Sequence, residues 1–396
     1  MTVDLSDGDA QNTGVTGTDT LSGFFNLTGG DGHDTLTGNE LANVIKGGLG
    51  NDTIQGGDGN DTLDGGSGAA ANTGGSDTVD YSYISSSSVN LAVTLGLLTA
   101  GTGAVAATKT SGVAGDIDTI SNFENVTGGS GNDVIIGNAG VNTLKGGEGD
   151  DIIQGGAGSD VLDGEAGVDT VDYSYLGAAA GITLTLPPSG AQSGTVAGDQ
   201  DSIADFENVI GGKGNDHLSG NDQNNTLTGG AGDDHLFGGV GDDTLIGGAG
   251  NDELDGGEDS GTSDIADYSA SGAAVTVNLS DATVTLALGV TMGPSAGKGG
   301  DAQGDTFADI EDVIGSNFND ILIGDNRSGK VNILSGGKGN DLVFGSAGID
   351  DLRGGEGTGD TLSYATDTAG VTLSLQTGIG TGLGNAAGDA FEDFEN

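Results

Sequence analysis

Residues 47–64 read GGLGNDTIQGGDGNDTLD, one nine-residue phrase written twice. Each copy sets a pair of glycines, a third glycine and an aspartate ahead of a short run with one apolar residue at its centre. Glycine accepts positive φ and lets one backbone approach another, so G-G-x-G makes a tight turn with its carbonyls and amides aimed inward. The run after the aspartate, such as Thr53-Ile54-Gln55, is then a very short strand whose middle side chain points one way and whose flanks point the other. Two copies close a coil of eighteen residues, and stacked coils lie about 4.8 Å apart. Turns eighteen residues apart therefore become neighbours on one edge, which brings Asp34 beside Asp52.

The phrase recurs in four clusters that start at Gly29, Gly128, Gly211 and Gly315. The second unit of every cluster departs in the same way. It loses its paired glycines and carries Asn43, Asn142, Asn225 or Asn332 where the aspartate belongs, a fault that points to duplication of a larger unit whole. Between clusters the chain leaves through DTVDYS (77–82 and 169–174), DIADYS (264–269) or DTLSYA (360–365) and returns through FENV (123–126 and 206–209), IEDV (310–313) or a final FEN. In between lie alternating segments, VNLAVTL (89–95), GITLTL (181–186), AVTVNL (274–279) and GVTLSL (370–375), which read as half-buried strands. The organisation is thus a partial connector over 1–28, a repeat block over 29–68, a connector over 69–127, a block over 128–168, a connector over 169–210, a block over 211–257, a connector over 258–314, a block over 315–357 and a partial connector over 358–396. The sequence leaves open whether the connectors continue the coil or bulge from it. Because both ends fall inside connectors, the chain is expected to be an excerpt or a truncated gene product.

Among 396 residues there are 83 glycines, and 9 lysines and arginines face 60 acids, for a net charge of −51. Nucleic acid and anionic membrane surfaces are poor partners for such a chain. Acidity with few aromatics often marks disorder. Here the acids sit in register rather than in blocks, which indicates a site built many times over. There is no cysteine, so no disulfide staple, and no apolar run of membrane-spanning length. The start, MTVDLSDGDA, lacks the basic region and apolar core of an ordinary signal peptide.

One Ile or Leu in nine residues buries too little apolar surface to offset the ordering of nine backbones. Stacking carboxylates at coil spacing makes matters worse, so something must neutralise the column. Ca²⁺ takes six to eight oxygens and tolerates irregular geometry, and facing turns offer aspartates and backbone carbonyls. Mg²⁺ demands a stricter octahedron, and Zn²⁺ prefers nitrogen and sulfur ligands that are nearly absent here.

The pattern G-G-x-G-x-D-x-U-x (U, a large apolar residue) resembles the repeat of RTX, or hemolysin-type, calcium-binding proteins. The resemblance implies an all-β fold, a right-handed parallel β-roll (β-solenoid) of four calcium-binding blocks joined by β-rich connectors. It also implies several Ca²⁺ ions, type I secretion, and folding triggered by calcium outside the cell. By the same resemblance the side-chain ligands fall on the sixth position of each unit: Asp34, Asp52 and Asp61; Asp133, Asp151, Asp160 and Asp169; Asp216, Asp234, Asp243 and Asp252; and Asp320, Asp341 and Asp350. The second and fourth glycines would give carbonyls. These are Gly30, Gly32, Gly48, Gly50, Gly57 and Gly59; Gly129, Gly131, Gly147, Gly149, Gly156 and Gly158; Gly212, Gly214, Gly230, Gly232, Gly239, Gly241, Gly248 and Gly250; and Gly337 and Gly339. Sites shared with the asparagine units should be weaker or empty. No C-terminal secretion signal is recognisable in GNAAGDAFEDFEN.

Outside the repeats, Asp116, Asp118, Asp199, Asp201, Asp301 and Asp305 read chiefly as turn residues, with ligation as the sharper alternative. His217 and His235 should stack on adjacent coils, facing outward, and without a third ligand read as plain surface. Tyr81, Tyr173 and Tyr268 read as packing residues that cap each roll. No catalytic nucleophile motif is present, neither H-E-x-x-H nor G-x-S-x-G, and every close carboxylate pair belongs to a turn. The expectation is a non-enzymatic, secreted or cell-surface spacer or adhesin segment whose partners, besides calcium, are extracellular polysaccharide or protein. Export would use type I machinery, with no membrane insertion by this segment. The alternative is the C-terminal tail of a secreted protease, lipase or alginate epimerase.

Overall fold

The computed structural model describes all residues except 7–9, 12–18, 67–74, 97–104, 111–115, 189–200, 258–262, 286–290, 326–330, 366, 368–369, 383–384 and 396. Each nonapeptide supplies one short strand. In Thr53–Gln55 and Thr62–Asp64 only the central Ile54 and Leu63 are fully buried. The flanks face outward because a strand alternates its side chains, and the glycine turn then reverses the chain before a second apolar residue can follow. The fold is an all-β parallel β-roll.

The chain divides into two units. One comprises Met1–Tyr173 with Leu186–Phe206, the other Ser174–Thr185 with Glu207–Asn396. In the first, one sheet runs in parallel register through Thr2–Asp4, Thr35–Thr37, Thr53–Gln55, Thr78–Asp80, Asn125–Thr127, Thr143–Glu148, Val161–Ala166 and Ser202–Ala204. The register places Leu36 on Ile54, Ile54 on Val79, Val126 on Leu144, and Leu144 on Leu162, so one apolar residue per coil stacks into a column. The second unit repeats this with Val209, Leu227, Leu245, Ala266, Val313, Leu334 and Leu352, each with no exposed surface.

The connectors join the sheets by a detour. In the first, Thr78–Asp80 pairs directly with Asn125–Thr127 on one face. On the other face Ile117–Ser121 lies parallel on Thr62–Asp64, Val105–Thr110 runs antiparallel to it, and Asn90–Thr94 runs antiparallel to that. Asn90–Thr94 then receives the next cluster's Val134–Ile136 in parallel. The connector therefore continues the sheet and inserts one reversed strand. The second unit shows the same order: Glu253–Asp255, Thr306–Ala308, the reversed Ala296–Lys298, Thr276–Asn278 and Ile321–Ile323. All four alternating segments predicted from sequence contain strands, at Asn90–Thr94, Thr183–Thr185, Thr276–Asn278 and Val371–Ser374.

The last of these has a neighbour on one side only among the described residues. Val371, Leu373 and Leu375 are 36–50% exposed, whereas Val275, Val277 and Leu279, which occupy the same places in the preceding connector, are at most 6% exposed. Each return segment enters through a left-handed residue just before its Phe or Ile: Gly23, Asn122, Asp205, Asp309 or Asp393. Asn and Asp tolerate that region better than other side chains do.

Ile153→Ala removes a fully buried residue between Ile135 and Val171. It should cost about 2–5 kcal/mol in calcium-saturated urea unfolding, whereas the outward Gln154→Ala should cost under about 0.5 kcal/mol.

Candidate metal centre

All fourteen sixth-position aspartates are buried, none more than 5% exposed. A backbone ladder holds them there. The Asp34 amide donates to Oδ1 of Asp52 at 2.9 Å, Asp133 to Asp151 at 2.7 Å, and Asp151 to Asp169 at 2.8 Å. In the second unit Asp216 donates to Asp234 and Asp234 to Asp252, at 2.7 and 2.9 Å, and Asp320 to Asp341 and Asp341 to Asp360, both at 2.8 Å. Each coil thus offers a carboxylate to the amide of the coil before it, a charge-assisted bond of the stronger kind.

The second oxygen divides the turns into two classes. In the first unit of each cluster it is closed locally: Oδ2 of Asp34, Asp133, Asp216 and Asp320 accepts from the amide four residues earlier, at 2.6–2.9 Å. From the third unit onward the second glycine flips, except in the last unit of the fourth cluster, where Ser346 stands in its place and its amide and hydroxyl close Oδ2 of Asp350 at 3.2 and 2.8 Å. Gly48, Gly147, Gly230, Gly248 and Gly337 have φ between +92° and +120°, which turns the amide away from the carboxylate. Oδ2 of Asp52, Asp151, Asp234, Asp252 and Asp341 is then buried without a hydrogen-bond partner, as is Oδ2 of Asp360. A buried, unpartnered carboxylate oxygen is costly, and a cation is the usual remedy.

Backbone oxygen converges on the same place. A methyl group on Gly47 would lie 2.3 Å from Asp52 Oδ2 and 2.4 Å from the Gly65 carbonyl oxygen. On Gly336 it would lie 2.4 Å from Asp341 Oδ2 and 2.5 Å from the Gly354 oxygen. Only glycine fits at the first position, and the donors beside it are all oxygen. No group of three or more His, Cys, Asp or Glu side chains that could hold a metal gathers among the described residues. The cradle is therefore half backbone, a composition suited to Ca²⁺.

The expected carbonyl donors line these same turns. Among second glycines Gly57, Gly156 and Gly239 join those already named at positive φ, while Gly30, Gly129 and Gly212, in the first units, do not. The carbonyls of Gly30, Gly129 and Gly337 each accept a bond from the third residue of the next coil, at 2.7–2.9 Å, and keep a second lone pair. At the fourth position Gly50, Gly59, Gly149, Gly158, Gly232, Gly241 and Gly339 take positive φ, and Gly32, Gly131, Gly214 and Gly250 do not.

Burial sets the electrostatics. It pushes Asp151 up to about 8 and Asp234, Asp252 and Asp341 up to about 7, and the neighbouring carboxylates add to the rise while the ladder amide opposes it. Asp52 rises for the same reasons.

The recurrent asparagines have a physical account. Nδ2 of Asn43, Asn142, Asn225 and Asn332 donates to the carbonyl of Phe25, Glu124, Glu207 or Glu311 at 2.6–3.0 Å. A carboxylate there would face a carbonyl; the neutral amide supplies the donor.

Sequence reasoning passed over several members of the ladder. Asp77 accepts from Asp52, Asp264 from Asp243, and Glu124 and Glu395 accept from Asp77 and Asp360. Their signal was the first residue of each DTVDYS-like exit and the Glu of FEN. Asp118, Asp201 and Asp305 are ladder members too, accepting from Asp61, Asp160 and Asp252. Asp116 accepts from Gly59 at 3.2 Å, Asp301 lies within the 3-10 turn Gly300–Ala302, and Asp199 lies outside the described residues. His217 and His235 are in register on adjacent strands, with ring centroids 5.6 Å apart. No helix among the described residues is long and apolar enough to cross a membrane.

A family model described as the RTX calcium-binding nonapeptide repeat, in four copies, matches residues 26–40, 37–69, 121–150, 136–171, 204–236, 228–262 and 328–359. No curated protein matches the chain.

The two classes of glycine give a contrast. Gly48→Ala combines positive φ with a methyl 2.2 Å from the Gly30 oxygen and should raise the calcium midpoint of folding at least about tenfold. Gly30→Ala meets nothing within 4 Å at ordinary φ and should change stability by under about 1 kcal/mol. A second expectation concerns pH. The carboxyls bind protons more tightly in the folded chain, so between their ordinary value of 3.8 and about 7–8 the metal-free fold loses stability as pH rises. Without metal, the β signal in circular dichroism should be stronger near pH 5 than near pH 8, and the calcium midpoint should be higher near pH 5, where protons compete.

Proposed function

The chain carries RTX calcium-binding nonapeptide repeats in several copies, and from that premise we propose that it is a non-catalytic extracellular module whose folding is switched on by calcium. The observation that carries this reading is the row of buried carboxylate oxygens without a hydrogen-bond partner. Each is an unpaid electrostatic cost in a fold with one apolar residue per nine. Ca²⁺ binds only the wound turns, so its concentration sets the folded fraction. Extracellular sites of this chemistry bind at about 10⁻⁴–10⁻³ M, far above the calcium of a cell interior. Inside, a chain of net charge −51 stays expanded and fit for type I export. Outside, it winds into stacked coils that bury one apolar residue per short strand. That form suits a spacer or adhesin segment that holds other parts of a surface protein away from the cell.

Circular dichroism in EDTA should show coil, with a β signal appearing cooperatively at about 10⁻⁴–10⁻³ M calcium and not with magnesium at the same concentration. A chelated sample with the same β signal and hydrodynamic radius as the calcium-saturated one would refute the reading. Asp151→Ala should raise the midpoint severalfold and flatten the transition.

A further inference from the structure

Each of the four connectors that follow a repeat block carries one buried tyrosine immediately after its exit strand, and in all four its hydroxyl donates to one aspartate. Tyr81 meets Asp118 Oδ2 at 3.2 Å, Tyr173 meets Asp201 at 3.0 Å, Tyr268 meets Asp305 at 2.7 Å, and Tyr364 meets Asp389 at 2.5 Å. Those four aspartates occupy ladder positions. Their Oδ1 atoms accept from the amides of Asp61, Asp160, Asp252 and Asp350 at 2.9–3.0 Å, as the repeat aspartates do one coil earlier. All four are at most 2% exposed. One difference separates them from Asp52, Asp151, Asp234, Asp252 and Asp341. In those five Oδ2 has no hydrogen-bond partner, and in the four connector aspartates it has a phenol. The paired-glycine turn that brings carbonyl oxygen to the repeat sites is also missing ahead of them, where the chain reads AGDID, AGDQD, DAQGD and NAAGD.

We infer that Tyr81, Tyr173, Tyr268 and Tyr364 terminate the calcium columns: each hydroxyl takes the place of the cation on the last ladder carboxylate, so Asp118, Asp201, Asp305 and Asp389 are not calcium ligands. The logic is one of substitution. A column of carboxylates must end somewhere, and its last buried oxygen has no further coil to share an ion with. A fixed O–H supplies a donor there without bringing a net charge. The ring meanwhile fills the interior at the point where the apolar column gives way to the connector. The sequence alone reads Tyr81, Tyr173 and Tyr268 as packing residues, and packing alone does not explain why the hydroxyl finds the same oxygen in each of the four connectors.

This inference rests on calcium-dependent folding as proposed above, and its test separates the two. In the full chain at saturating calcium, bound ions per molecule are counted by equilibrium dialysis with atomic absorption. Asp305→Asn should keep the wild-type count, while Asp252→Asn lowers it. Tyr268→Phe should raise the calcium midpoint severalfold, and adding Asp305→Asn should remove most of that rise, because the buried oxygen in need of a partner is then gone. A lower ion count for Asp305→Asn would overturn the inference, as would a Tyr268→Phe shift that persists undiminished in the double variant. Should variants at this connector fail to fold, Tyr364→Phe and Asp389→Asn at the last connector give the same readings. A wild-type chain that folds without calcium would instead overturn the proposed function.

Discussion

The structure depends on a bond between the amide of one turn and the carboxylate of the next. It drags an acid into the interior of every coil, and it satisfies only one of that acid's two oxygens. Everything else in the nonapeptide follows from managing the other oxygen. The first glycine has no side chain because the oxygen lies where a Cβ would go. The second glycine takes positive φ because its amide must turn away if a metal is to approach. The fold is thus built around a deficit that its own side chains do not fill, and this is how a structural repeat becomes a calcium-binding one.

The clusters show three ways of closing that deficit. At the start, Asp34, Asp133 and Asp216 bond to a nearby amide. In the second unit a neutral asparagine donates as well as accepts, as Asn142 does to the Glu124 carbonyl. At the end a tyrosine hydroxyl takes over on the last aspartate, as Tyr268 does on Asp305. Between these ends lie the turns with an oxygen to spare. Each cluster is therefore a bounded unit with a closed beginning, an open middle and a sealed exit, which gives a physical reason for the duplication of whole clusters rather than single nonapeptides.

Much of this was legible in the sequence, for reasons that differ by residue. Ile54, Leu63 and their counterparts announce the roll because the period of nine is so regular that only a coil satisfies it. The aspartates announce the site because an acid in every turn has no other use. The uniform fault at Asn43, Asn142, Asn225 and Asn332 was visible, but its cause was not, because the carbonyl each one meets lies eighteen or more residues away along the chain. The path of the connectors was hidden as well. Alternation marks Asn90–Thr94 as a strand, but nothing local says that it skips past Ile117–Ser121 to receive the next cluster. The Tyr–Asp pairs are likewise long-range, 25 to 37 residues apart in the four connectors, and neither partner alone signals the other.

The ladder has a direction. Every coil lends its acid forward to nobody and backward to its predecessor, so a winding segment has two unlike tips. The carboxyl-terminal tip presents bare N–H groups awaiting an acceptor, and the amino-terminal tip presents carboxylate oxygens with no preceding amide to engage them. Assembly that proceeds from the carboxyl-terminal tip finds each receptor laid down before the donor arrives, whereas assembly from the amino-terminal tip must leave its newest amides waiting. The ladder therefore gives each winding segment a polarity that follows the direction of the chain.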